Sequence, residues 1–284
     1  MSETDPVLTD LCLVTAVDVE TKVVNGLLFE ESGSGEKRRR SFSRSPLPSP
    51  HSSEEPRLKI RGGPSGARRI TRRITVLKSD MGAVGFAERL ERHLLDNHYD
   101  ALIVVGLAGG LDPALRPGDV VLYDLCYDAR AVEFWRDEEA SPEAASSGAC
   151  DTRLSNFLAE VLTGSGVSFV RAPGITVDRI VTEGKDKLAL GARFGAAAVD
   201  MESCESLIAC ARTGLPAAVL RVISDEAGQD IPDFNRAYDP NGRMNGWRLA
   251  AAMSARPIAA LRLALSFRRA IGSLRETLRA VLNA

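Results

Sequence analysis

Histidine and cysteine are scarce in this chain of 284 residues, at three and five. The cysteines, Cys12, Cys126, Cys150, Cys204 and Cys210, form no Cys-x-x-Cys pair. Their odd number and scatter exclude a disulfide framework and fit a reduced protein. No cluster of His, Cys and carboxylates has zinc spacing, so no metal and no other cofactor is expected. An excess of one charge is also missing. With 36 Lys and Arg against 38 Asp and Glu, the net charge is −2, and no global field calls for a nucleic-acid partner. No apolar run reaches the ~20 residues of a transmembrane helix. The start, Met1-Ser2-Glu3-Thr4-Asp5, is acidic and lacks the basic region of a signal peptide. The expectation is a cytoplasmic protein, at most peripheral to a membrane.

What the chain does have is an alternation of strand-like and helix-like runs. Leu11 to Val17 is a compact apolar run, and Asp18-Val19-Glu20 begins a helix pattern. Arg69 to Leu77 mixes Arg with β-branched residues, as a partly exposed strand does. Ala83 to Asn97 places Phe86, Leu90 and Leu94 on one helical side. Ala101 to Gly106 is continuously apolar, the pattern of a strand buried on both faces. It runs into Gly106-Leu107-Ala108-Gly109-Gly110-Leu111, whose small residues let backbone approach a ligand closely. The turn at Arg116-Pro117-Gly118-Asp119 leads to a strand at Val120 to Tyr123. Further on, the pattern predicts a loop over 140–148, a helix at Thr152 to Gly164, a short strand at Ser168 to Arg171, and a strand-like run over 174–182. Gly184 to Phe194 reads as a helix with Lys185 and Lys187 on its wet side. A short run ending in Asp200-Met201-Glu202, a helix from Ser203 to Arg212, a strand from Leu220 to Asp225 and a long loop over 226–246 follow. Such alternation without repeats predicts a single α/β domain over 10–284, a three-layer α/β/α sandwich around a mixed, mostly parallel sheet.

Two segments stand apart. Residues 31–66 are rich in Ser, Arg, Pro and Glu and include Lys37-Arg38-Arg39-Arg40. They are too polar to offset their ordering entropy and are expected to form a disordered insertion. Residues 257–284 form an amphipathic helix with Phe267, Ile271, Leu274, Leu278 and Leu282 on one side and Arg262, Arg268, Arg269, Arg275 and Arg279 among them. It either packs on the body or makes a peripheral contact with an anionic membrane or partner.

Three carboxylates, Glu20, Glu202 and Asp225, fall at strand ends, where open α/β sheets gather ligands. There they are candidates for binding hydroxyls and moving protons. The same residues also suit first-turn helix acids and caps. On the residues alone both readings stand.

Four stretches in order carry a resemblance. They are Thr15 to Glu20, Gly106 to Leu111 with Arg116 to Val121, Val199 to Ser203, and Arg221 to Ala227. Together they resemble the purine nucleoside phosphorylase and methylthioadenosine/S-adenosylhomocysteine nucleosidase superfamily over about residues 10–230. Val177 to Val181 ahead of Lys187, and the stretch after Asp225, are most similar to hopanoid-associated nucleosidases. The resemblance implies a small-molecule nucleoside substrate, a homodimer and the following roles. Asp225 protonates purine N7, and Glu20 activates water. Glu202 binds ribose hydroxyls, with Met201 against the sugar. Ala108, Gly109 and Ser224 lie near the purine, and Ile180 with Val181 match a base-binding strand. Asp225 must then hold a proton. Two residues depart from the pattern: Leu107 stands where nucleosidases often have Ser, and Ile180 where they often have an aromatic residue. Val104 and Glu20 stand where hexameric phosphorylases carry Arg, which favours water over phosphate. The expected activity is hydrolysis of the N-glycosidic bond of an adenosyl compound, with a phosphorylase or a non-catalytic nucleoside-binding scaffold as alternatives.

Overall fold

Alternate residues of each long strand belong to different cores. In β1 (Asp10–Thr15), Leu11 and Leu13 face one cluster and Cys12 and Val14 the other. β4 (Ala101–Gly110) divides Ile103 and Val105 from Leu102 and Val104 in the same way. β9 (Ala217–Asp225) divides Ala218, Leu220 and Val222 from Ala217, Val219 and Ile223. This period of two is the signature of a sheet covered on both faces. The structure is a computed structural model that describes residues 8–31, 58–61, 71–79, 85–130, 145–237 and 245–284.

Helices supply the covers. On one face lie α1 (Asp18–Glu31), α3 (Thr152–Gly164) and α7 (Pro257–Asn283), through Val24, Leu158 and Leu278 among others. On the other lie α2 (Phe86–Asp96) and α5 (Ser203–Thr213), through Phe86, Leu90 and Leu207. A third cluster forms where α4 (Gly184–Phe194) brings Leu190 and Phe194 against Leu111 and Ile175. The predicted α/β architecture, with helices on both sides of a mixed sheet, is therefore the observed one.

The remaining strands are β2 (Leu58–Arg61), β3 (Thr71–Lys78), β5 (Val120–Asp128), β6 (Ser146–Ala149), β7 (Phe169–Thr176) and β8 (Ala198–Asp200). Their order is β2-β3-β1-β4-β8-β7-β5-β6, with β9 pairing both β4 and β5. Strands β4, β9, β5, β7 and β8 thus close a ring, which a flat sandwich would not. Parallel pairs outnumber antiparallel ones only narrowly, five to four among the described residues. The ring closes because β4 changes partner along its length. Most of it pairs with β9, while Gly109 and Gly110 also pair with Val199 and Ala198 of β8. The register against β9 slips at Ala108/Gly109, so that Gly109 opposes Asp225 and Ser224 is the extra residue. A bulge of this kind bends its strand and re-aims side chains.

Several boundaries differ from the sequence reading. Residues 58–61, inside the predicted disordered insertion, form the edge strand β2, antiparallel to β3. Most of the rest of that insertion, including Lys37 to Arg40, lies outside the described residues. The predicted loop over 140–148 ends in strand β6. The two short runs around 168–182 are one strand, β7, that stops at Thr176. Beyond the long loop comes an additional helix, α6 (Gly246–Ala255), started by Asn245, whose side chain accepts from the Trp247 and Arg248 N–H groups. Its small apolar residues carry no helical stripe, so periodicity could not announce it.

The two halves of α7 differ. Leu274, Leu278 and Leu282 are buried against the body, whereas Ile258, Leu261 and Leu265 are exposed. Replacing Leu278 with Ala should cost ~2–5 kcal/mol of unfolding free energy, while Leu261→Ser should stay within ~0.5 kcal/mol. Thermal and urea unfolding of the two variants checks this, and equal losses would contradict the division.

Candidate active site

The site begins at the turn from β1 into α1. Glu20 lies in the first helical turn and folds back so that Oε2 accepts from the N–H of Ala16 (2.8 Å) and Val17 (3.1 Å). Its Oε1 accepts from the Leu107 N–H at 2.7 Å. One carboxylate thus ties the β1 end to β4. Gly106 makes the approach feasible: a Cβ there would lie 2.6 Å from Glu20 Oε1 and 2.8 Å from Arg221 Nη1. Burial raises the Glu20 pKa, and Arg221 with the three N–H donors only partly counters it.

Arg221 faces the core on the side shared by Val219 and Ile223, and is fully buried. A buried guanidinium must find anions. Nε reaches Asp200 Oδ2 and Ser203 Oγ, each at 3.2 Å. Nη2 reaches Glu202 Oε2 at 3.3 Å and Ser203 Oγ at 2.9 Å, and Nη1 points to the Leu107 carbonyl at 3.5 Å. Burial lowers the Arg221 pKa, but Asp200, Glu202 and Glu20 more than reverse this and raise it. Asp200 is set in turn by the Thr176 hydroxyl (2.9 Å) and the N–H groups of Glu202 and Ser203, all on Oδ1. Burial works to raise its pKa, yet Arg221 and these donors hold it below the usual range. Its folded pKa being depressed, Asp200 contributes stability above the unfolded value of ~3.9 and loses it as pH falls through the folded one. Glu202 stands at the N-cap position of α5, makes no side-chain capping bond there, and is buried. Met201 lies half-buried between these two acids.

Asp225 sits at the end of β9, three residues further along β4 than Glu20. At ~3.3 Å per residue that separates the two by roughly 10 Å. Ser224 Oγ lies 2.6 Å from Asp225 Oδ1 and 3.0 Å from the Ala108 carbonyl, while a Cβ on Gly109 would be 3.6 Å from Oδ2. The bulge therefore gathers Ala108, Gly109, Ser224 and Asp225 at one place. Asp225 Oδ2 accepts from Lys187 Nζ at 2.8 Å, and the same ammonium donates to the Glu226 carbonyl at 2.5 Å.

Lys187 corrects the sequence reading. It has no exposure at all, although a wet position was expected. The signal was present: Lys187, Leu190 and Phe194 follow i, i+3, i+7 on one face of α4, the buried one. The placement of Ile180 and Val181 is corrected too. Both follow the end of β7 in an irregular segment, with Val181 buried in the third cluster. Asn235, missed in the sequence, holds Ile180 at both backbone groups (2.8 and 3.0 Å). The Ile231 N–H to Thr182 carbonyl and Gly184 N–H to Asp230 Oδ1 bonds pin the same loop along the site's edge. Arg221, too, is marked by alternation, being the single polar residue among Ala217, Val219, Arg221 and Ile223 of β9.

Comparison with known proteins gives the family and the fold. Residues 49–255, well over half the chain, match the family described as the Phosphorylase superfamily. The chain belongs to the phosphorylase superfamily. It is 29% identical over 179 residues to a 5′-methylthioadenosine/S-adenosylhomocysteine nucleosidase of Marinomonas sp. (strain MWYL1), covering 58% of this chain and 73% of that one. The fold resembles the same nucleosidase of Helicobacter pylori bound to butyl-thio-DADMe-Immucillin-A, with TM-score 0.62, 16% identity and 97% of each chain covered. It also resembles the futalosine hydrolase of Helicobacter pylori, with TM-score 0.59, 18% identity, and coverage of 95% of this chain and 97% of that one. At these identities the likeness to solved structures is one of fold. Within this phosphorylase-superfamily sheet, the strand ends around β1, β4, β8 and β9 carry every candidate carboxylate.

The buried Lys187–Asp225 pair should be thermodynamically coupled. Lys187→Met should lower stability by ~3–5 kcal/mol, since it strands a buried carboxylate. In the Lys187→Met/Asp225→Asn double variant the losses should fall short of the sum by ~1–3 kcal/mol. Strict additivity in denaturant unfolding would deny the pair.

Proposed function

We propose that the protein is a nucleosidase that hydrolyses the N-glycosidic bond of an adenosyl compound and releases adenine. Cleavage sends the bond's electron pair to the departing base and leaves oxocarbenium character on the sugar. Asp225, in its protonated form, gives that proton to N7, so the base leaves neutral and Asp225 is left as the carboxylate that pairs with Lys187. Glu20 takes a proton from water as the hydroxyl oxygen bonds to C1′. Glu202 accepts from the ribose hydroxyls, with Met201 against the sugar. Both carboxylates also stabilise the developing positive charge electrostatically. The ~10 Å between Glu20 and Asp225 along β4 suits a nucleoside lying between them.

One observation carries the choice of water over phosphate. Arg221, the cation next to Glu20, is spent on Asp200, Glu202, Ser203 and the Leu107 carbonyl. A phosphate dianion there would face Glu20, Glu202 and Asp200, with no uncommitted Arg beside them among the described residues. A phosphorylase therefore fits this geometry poorly, and an inert scaffold would not call for a buried base so elaborately held.

For the 5′ group we propose a bulky apolar substituent of the adenosylhopane kind. The similarity to hopanoid-associated nucleosidases supports this, as does a groove beside Glu226 that is bordered by Ile258 and Leu265. Methylthioadenosine and S-adenosylhomocysteine are the smaller compounds against which it is measured.

Adenine release from adenosines with 5′ groups of increasing alkyl length tests both parts. Asp225→Asn and Glu20→Gln should each lower kcat by ~10²–10⁴, and kcat/KM should rise with alkyl length. Near-normal turnover by either variant would remove its role. Because Glu20 acts ionised and burial raises its pKa, kcat/KM should fall with acid at a pH above the ordinary glutamate value of ~4.3. An acid limb at or below that value would remove Glu20 as the base.

A further inference from the structure

Helix α6 has no buried residue, and its Trp247 is 89% exposed. The first half of α7 continues this face with Ile258 71%, Leu261 63% and Leu265 63% exposed. Isolated exposed apolar residues are ordinary, but four large ones on two adjoining helices mark a surface that another body covers. Charge says which kind of body. From Gly246 to Arg275 the chain carries Arg248, Arg256, Arg262, Arg268, Arg269 and Arg275 and not one Asp, Glu or Lys. This stretch is strongly cationic within a chain of net charge −2. A second copy docked about a twofold axis would set this positive face against itself. An anionic surface would be matched. Tryptophan and leucine beside arginine are the residues that settle at the boundary between lipid headgroups and acyl chains.

We propose that α6 and the first half of α7 form a docking surface for an anionic lipid bilayer, on which the protein lies peripherally. The geometry suits a surface contact, not a span. Among the described residues no single helix is long and apolar enough to cross a membrane, and α6 and α7 are bent by 116° against each other. The same face borders the groove lined by Glu226, Arg256, Ile258 and Leu265, and Glu226 follows Asp225 in the chain. A docked protein would hold that groove at the lipid surface. An amphiphilic nucleoside could then enter without crossing water. Only this consequence rests on the nucleosidase reading; the docking itself does not.

The full-length protein is tested by co-sedimentation with vesicles of phosphatidylcholine alone and of phosphatidylcholine with phosphatidylglycerol. Binding should be at least ~10-fold tighter to the anionic vesicles and should weaken as salt is raised. The Leu261→Glu/Leu265→Glu and Arg256→Glu/Arg262→Glu variants alter exposed side chains only. Each should lose binding while keeping the parent's thermal unfolding. In a Trp135→Phe background, Trp247 emission should shift to the blue on anionic vesicles. Equal sedimentation with and without vesicles, or with both variants and the parent, would overturn the proposal. So would a dimer in light scattering that Leu261→Glu/Leu265→Glu dissociates, or binding to duplex oligonucleotide with none to vesicles.

Discussion

A single buried cation holds the Glu20 and Glu202 end of the candidate site together. Arg221 lies in the interior of β9, where an unpaired guanidinium would be prohibitively expensive, and its neighbours are arranged to answer it. Asp200 and Glu202 come from the turn between β8 and α5, Ser203 from the first turn of that helix, and Glu20 from the start of α1. Asp200, Glu202 and Ser203 belong to one stretch of chain and Glu20 to another, so Arg221 ties the ends of β8 and β1 to its own strand. It also fixes Gly106, since any side chain there would enter the space that Glu20 and Arg221 share. Such networks are costly when half satisfied and rigid when complete, and rigidity is what a site for proton transfer requires.

Asp225 lies outside this network, with a cation of its own. Lys187 reaches it from α4 and also bonds the Glu226 carbonyl. The loop that follows is then tied back to 180–184 by Asn235, Ile231 and Asp230. The proposed acid at one end of the site and the proposed base at the other are thus positioned by separate cations. The anionic character of the Glu20 end, next to a cation already committed, is what disfavours phosphate there.

Much of this was legible in the sequence. The apolar runs at Leu11 to Val17 and Ala101 to Gly106 identified buried strands, and the chain's alternation of patterns identified the α/β class. Glu20, Glu202 and Asp225 stood out because each ends an apolar run. The ring of strands was not legible, because β4 changes partners at Gly109 and the pairing of β9 with both β4 and β5 is long-range. Nor was the strand β2, whose four residues sit in a polar segment. Lys187 was misread because charge was weighed above helical spacing. Ile180 and Val181 were given to a strand because β-branched residues extend the pattern of β7 past its true end at Thr176. Sequence alternation could mark Arg221 as inward-facing, but only the folded chain shows its partners, Asp200, Glu202, Ser203 and the Leu107 carbonyl, on which the case against phosphate rests.

The central claim is that water, not phosphate, completes the cleavage. It is tested most directly by measuring adenine release from a single adenosyl substrate in phosphate-free buffer and again with phosphate added. The account predicts equal rates in both and a free sugar as the co-product. Release only in the presence of phosphate, with a sugar 1-phosphate formed, would contradict it.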